Sequence, residues 1–154
     1  MSIFLVRHAS AGDRSRWRLN DMERPLDERG REQASRIADL FADSAVRAVW
    51  SSPATRCVQT VEPVAEAHSL NIRIRDELCE GADSARLLEL ILEEAAAPDN
   101  LILSSHGDVI PSVLNRLLRA GLEATGDRGC AKASVWELRV DNGLITEGIY
   151  TAKP

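Results

Sequence analysis

Short unbroken apolar runs alternate along this chain with stretches in which apolar residues recur every three or four positions. Residues 2–7 form the first run and read as a buried strand, being too short for a helix and lacking helical spacing. From about 28 to 43, Ala34, Ile37, Ala38 and Phe41 fall at i, i+3, i+4 and i+7, the stripe of an amphipathic helix packed on one face. The run 45–50 is a second strand. Ser52-Pro53 then supplies an N-cap and a proline for the first helical position, and Val58, Val61 and Ala65 give the next helix its apolar face. Pro63 lies inside that pattern and should kink or shorten the helix, because it removes an amide donor. Residues 70–75 make a short strand. Leu87, Leu88, Ile91 and Ala95 then mark a helix from about 84 to 96, capped by Asp83 or Ser84. A further apolar strand, 100–105, precedes a fourth helix carrying Ile110, Val113, Leu114 and Leu117.

The rhythm changes near the end. Trp136, Leu138 and Val140 alternate with polar residues, and Asn142-Gly143 is a strong two-residue hairpin signal before residues 144–150. Strand–helix alternation followed by a hairpin predicts an α/β fold: a three-layer α/β/α sandwich with a mostly parallel sheet and an antiparallel edge. With 154 residues the chain has the size of one domain, 1–154, with one core expected.

Composition narrows the function classes. A charged fraction of 28% and the lack of any apolar run near the ~20 residues of a membrane span predict a soluble chain with no membrane partner. The first residues carry no basic leader or small-residue cleavage site, so a cytoplasmic location is expected. Cys57, Cys79 and Cys130 are odd in number and lack C-x-x-C spacing, which suggests neither a disulfide framework nor a zinc cluster. The net charge of −5 argues against a nucleic-acid polymer as partner, since that needs a basic surface. An anionic ligand must therefore be held by a local cluster, and among the 19 basic residues only Lys132 and Lys153 are lysines. Arginine supplies the planar fork that matches phosphate.

Ligands of such sheets bind beyond the carboxyl ends of the strands. There the first strand ends in Arg7-His8, the second leads to Ser51, Ser52 and Arg56 at the start of a helix, and the fourth ends in Ser104-Ser105-His106. Two histidines, two arginines and a helix N-terminus on one rim make a phosphate pocket. Residues 9–27 are long for a simple connection and carry Arg14, Arg16, Arg18 and Arg24, so a functional or a mobile segment is expected there rather than a plain joint.

The segments "LVRHASAG", "RPLDERGREQA", "SSPATRCVQT", "LCEG", "SSHGDVI" and "SVWEL" resemble the motif series of the histidine phosphatase, or phosphoglycerate mutase-like, superfamily. The short length resembles the SixA branch, and the wording is also similar to the C-terminal phosphatase domain of some actinobacterial Nudix hydrolases. Ala9 stands where the best-known version of the first motif has Gly. The resemblance implies a phosphatase without metal or other cofactor, in which His8 is the nucleophile and forms a phosphohistidine intermediate. Arg7 and Arg56 would grip the phosphoryl oxygens, His106 would donate a further hydrogen bond, and water would release phosphate. Glu80 best matches the general acid, with Glu77 and Asp83 nearby. Ser51 and the loop arginines Arg14, Arg16 and Arg18 are candidate substrate contacts, Arg24 either touches substrate or braces the helix, and Lys132 is a candidate for the pocket rim. The implied partner is a phosphorylated small molecule or a phosphohistidine protein, and few insertions predict a shallow, accessible cleft.

Rival chemistries fail on spacing. No cysteine is followed by the C-x5-R loop of thiol phosphatases, and no P-loop sequence is present. A metal hydrolase drawn from His8, Asp13 and His106 would place arginines against a cation and lacks the usual histidine spacings. The competing reading is a catalytically idle phosphate- or phosphoprotein-binding module of the same fold, which would not require an intact nucleophile.

Overall fold

The computed structural model describes residues 1–154. Its strands are β1 (Ser2–Arg7), β2 (Val46–Ser51), β3 (Ile72–Ile74), β4 (Asn100–Ser105), β5 (Glu123–Thr125), β6 (Val135–Asp141) and β7 (Leu144–Thr151). The helices are α1 (Glu28–Phe41), α2 (Thr55–Ala67), α3 (Ser84–Glu94) and α4 (Val109–Arg119). One seven-stranded sheet has the order β3-β2-β4-β1-β6-β7-β5. β1 to β4 are mutually parallel, β6 runs antiparallel to both β1 and β7, and β5 pairs parallel with β7 at the outer edge.

The continuous apolar runs are explained by burial on both faces of the sheet. Ile3, Leu5, Leu101 and Leu103 point into a layer shared with α3 and α4, whereas Val6, Val49 and Ile102 point into one shared with α1 and α2. The expected core is thus two apolar layers with the sheet between them. Alternate side chains of a strand face opposite ways, so a strand covered on both sides must be apolar throughout.

Most elements follow the pattern, and the exceptions have physical reasons. Asp83 caps α3 by accepting from the Ala85 amide. Asn142 and Gly143 have φ of +50° and +76°, as a type I′ hairpin requires. Ser52 does not cap α2 from the position before Pro53. The helix begins at Thr55 after Ala54, with no side-chain cap, because Ala54 is extended and the Ser52 hydroxyl faces His106. α2 also runs through Pro63 to Ala67, held by Val64 and Ala65 packed into the α1/α2 layer. β5, three residues long, is too short to leave a periodic signal. No helix is long and apolar enough to cross a membrane.

Candidate active site

His8 is the first residue past β1 and is locked from both sides. Its amide donates to the Ser105 carbonyl at 3.0 Å, and its carbonyl accepts from the Ala133 amide at 3.2 Å. Nδ1 lies 2.9 Å from the Ala9 carbonyl oxygen. A carbonyl can only accept, so Nδ1 carries the proton and Nε2 keeps its lone pair. The Ala9 amide donates to Thr60 Oγ1, and that hydroxyl donates to the Arg56 carbonyl, which fastens the His8 segment to the first turns of α2. Ala9 is not among the residues with positive φ, so a side chain is accommodated where related motifs have Gly.

Arg7, Arg56 and His106 converge on the same edge. Arg7 Nη1 donates to the Cys130 carbonyl, and its guanidinium lies against Gly107, where a Cβ would sit 2.6 Å from Arg7 Cζ. Gly107 is therefore required by close approach, a role that its position after His106 did not reveal. The Arg56 side chain is wholly buried. The Nε atoms of Arg7 and Arg56 are buried without a protein acceptor, an arrangement that favours an anion beside them. The His8 and His106 rings stand 5.6 Å apart at 63°. His106 Nε2 meets Ser52 Oγ at 2.8 Å and Nδ1 faces Arg56 Nη2 at 3.5 Å. Because the guanidinium can only donate, Nδ1 is the accepting nitrogen and Nε2–H points to Ser52.

These groups lie under a cover. Asp21 Oδ2 sits 3.2 Å from Arg56 Nη2 and 3.2 Å from Arg14 Nη2, while Glu80 accepts from Arg14 Nη2 at 2.9 and 3.0 Å and approaches Arg56 Nη2 at 3.5 Å. Arg24 is buried and ties the cover down, through Nε to Asp21 Oδ1 at 3.0 Å and Nη1 to the Ala11 carbonyl at 2.6 Å. It braces the loop. His8, Arg56 and His106 are at most 6% exposed, so the site is closed where an open cleft was expected. Asp21 was not singled out from the sequence, and its only signal was a carboxylate in an arginine-rich loop.

The remaining candidates scatter. Arg16 pairs loosely with Asp13 and is 87% exposed, and Arg18 is exposed. The Ser51 hydroxyl donates to the Ser52 carbonyl. Glu77 is paired with Arg75 and Asp83 caps α3, so of the three carboxylates near Cys79 it is Glu80 that reaches Arg56. Lys132 is exposed, on the segment that precedes β6.

Burial and neighbouring charge keep both histidines neutral. His8 is lowered to about 3, by burial above all; the Ala9 hydrogen bond opposes this, and the charges of Arg56 and Arg7 add to it. His106 is lowered to about 4 by burial and then by Arg56, with Glu80 and Asp108 opposing. Partial burial works to raise Asp21, but the Arg24 hydrogen bond and the Arg56 and Arg14 charges outweigh it and hold the carboxyl below its usual range. Burial pushes the Cys57 thiol up to about 12, which leaves it inert although its sulfur is 3.4 Å from His106 Nε2. A neutral imidazole with a free lone pair beside fixed cations is suited to attack an anionic phosphorus centre.

Comparison with known proteins identifies the family. The chain belongs to the histidine phosphatase superfamily (branch 1), whose model matches residues 3–83. An 8-oxo-(d)GTP phosphatase from Mycolicibacterium smegmatis is 34% identical over 99% of this chain, which spans about half (48%) of that protein's length. Among solved structures, the SixA structure from Agrobacterium tumefaciens has a TM-score of 0.71 at 28% identity, covering 91% of each chain. The protein histidine phosphatase SixA complexed with tungstate has a TM-score of 0.73 at 20% identity, covering 98% of this chain and 94% of its own, and shares the fold.

Proposed function

We propose that this chain is a phosphatase that works through a phosphohistidine on His8, and that it acts on phosphoanhydrides or, once the cover of Asp21, Arg14 and Glu80 opens, on protein phosphohistidine, rather than on simple alkyl phosphates. The observation that carries the reading is the His8 ring: Nδ1–H is fixed on the Ala9 carbonyl, so Nε2 is unprotonated, and the ring lies within the field of Arg56 and Arg7. In the first step the Nε2 lone pair forms a bond to phosphorus, and the bond from phosphorus to the leaving atom breaks with its electron pair. Arg7, Arg56 and His106 stabilise the charge on the three spectator oxygens. Water then attacks phospho-His8, gives up a proton, and releases phosphate and the free imidazole.

Leaving-group chemistry selects the substrate. Both Glu80 oxygens accept from Arg14, so proton donation to the leaving atom requires that pair to open. An alkoxide needs a proton as it departs, whereas a phosphate or an imidazole leaves with less help. The names of the relatives, an 8-oxo-(d)GTP phosphatase and SixA proteins, support substrates of these two kinds. The incoming phosphoryl group must also take over Arg56 Nη2 from Asp21 and Glu80, because three anions at one guanidinium repel each other.

The test is phosphate release in excess EDTA from nucleoside di- and triphosphates, protein phosphohistidine, sugar phosphates and an aryl phosphate. Release should persist under the chelator, be strongest on the first two classes, and vanish in His8→Ala. Arg56→Ala should raise KM and lower kcat by roughly 10²–10³, the usual cost of removing a charge-stabilising donor. Full turnover in His8→Ala would sink the reading, and silence from folded wild-type protein on every compound would favour the idle binding module.

A further inference from the structure

A cleft of about 510 Å³ is lined by Ser10, α1 and the segments before β6 and after β7, and belongs to no part of the mechanism above. Arg29 and Arg36 of α1, Lys132, and Lys153 beyond β7 line it, together with Glu32 and Ser10. Four cations outnumber the Glu32 carboxylate and the Pro154 main-chain carboxylate, which makes the cleft basic in a chain whose net charge is −5, and both of its lysines are here. None of the four is in an ion pair. Asp27, which feels the Lys132 charge, already accepts from Ser10 Oγ and from the Gly12 and Gly30 amides. Arg29 and Arg36 stand seven residues apart, two helical turns, and so share a face of α1.

The cleft is tied to His8 through the backbone. Ser10 in its wall is two residues beyond His8, at most about 7 Å along an extended chain. Ala133, next to Lys132, donates to the His8 carbonyl. No aromatic ring lines the cleft, so it offers charge and hydrogen bonds rather than a face for base stacking. We propose that it is a second anion site, which holds a further phosphate of a small-molecule oligophosphate whose terminal phosphoryl group sits at His8. This rests on the catalytic reading for its link to turnover, but not for binding itself.

The test separates the two. Inorganic tripolyphosphate is titrated into His8→Ala protein while amide NMR shifts are followed, with orthophosphate as the single-anion control. Tripolyphosphate should shift Ser10, Lys132 and Lys153 as well as Arg56, and Arg29→Gln/Arg36→Gln should weaken its binding roughly tenfold, a loss near 1.4 kcal/mol, while leaving orthophosphate binding unchanged. With His8 intact, the same pair of substitutions should raise KM for a nucleoside triphosphate by a similar factor and leave aryl phosphate turnover unaltered. Equal tripolyphosphate affinity in the double variant, or shifts confined to the His8 pocket, would overturn the second site. If no compound is turned over, the catalytic reading falls and the binding titration still decides the cleft.

Discussion

At residue 107 a single methyl group decides where the Arg7 guanidinium sits. The Cβ of Gly107→Ala would lie 2.6 Å from Arg7 Cζ and 2.8 Å from Nε, so the guanidinium must move while the strand and helix around it need not. This variant should keep its melting temperature within a few degrees yet lose roughly 10–10² in kcat/KM, less than outright removal of the donor. Unchanged turnover would show that Arg7 does not act from this position. His106 makes a second residue-scale prediction. Its Nδ1 accepts weakly from Arg56 and its pKa is lowered to about 4, so the free protein presents no proton there near neutral pH. A bound phosphate dianion supplies the opposite charge that favours the imidazolium. NMR titration of the ring with saturating phosphate should move its pKa upward from about 4. A value that stays put would mean that His106 does not touch the anion.

Among the elements, α1 does more than cover the sheet, because its cap holds the segment that follows His8. Asp27 accepts from the Gly30 amide as N-cap, and with its other oxygen from Ser10 Oγ and the Gly12 amide. Gly30 allows the approach, since a Cβ there would meet the Ser10 carbonyl oxygen at 1.9 Å. Asp27→Ala should destabilise by roughly 1–2 kcal/mol, the range for a lost N-cap, and should also lower kcat/KM through the loosened Ser10 segment. Asp27→Asn, which can still cap, should recover most of the stability. Equal activity in wild type and Asp27→Ala would restrict the cap to a structural role. α2 links sequence to site in the same way, since Thr60 stands one turn past Arg56 and receives the Ala9 amide.

For the molecule as a whole, two buried neutral histidines set an acid limit. The unfolded chain protonates each near pH 6.5, whereas the folded values are about 3 and about 4. Stability is therefore complete above pH 6.5 and falls as the pH drops toward 4 and 3, by up to about 1.4 kcal/mol per pH unit for each ring. His8→Gln removes one of these protons from the balance. Urea midpoints measured from pH 7 to pH 4.5 should fall less steeply for that variant than for wild type, and parallel curves would contradict the neutral, buried state of His8. The same charges that hold the rings neutral make an anion the natural ligand of this edge in a chain of negative net charge.

The sequence by itself determined the layered α/β architecture and the placement of Arg7, His8, Arg56 and His106 at strand ends and a helix start. Those features are local: burial on both faces makes a strand apolar throughout, one-sided packing gives a helix its stripe, and an adjacent motif needs no knowledge of distant contacts. Tertiary structure alone decided that Ser52 faces His106 rather than capping α2, that Asp21 and Glu80 share Arg56, and that Arg14 pairs with both of them while Arg16 meets only Asp13. These depend on the path of residues 9–27, which have no periodicity, and on contacts between residues up to 66 apart. The same holds for the basic cleft, whose cations come from α1, from the segment before β6 and from the end of the chain. Only folding brings such separated charges together, because their proximity is encoded in the packing of the apolar elements between them and not in the charged residues themselves.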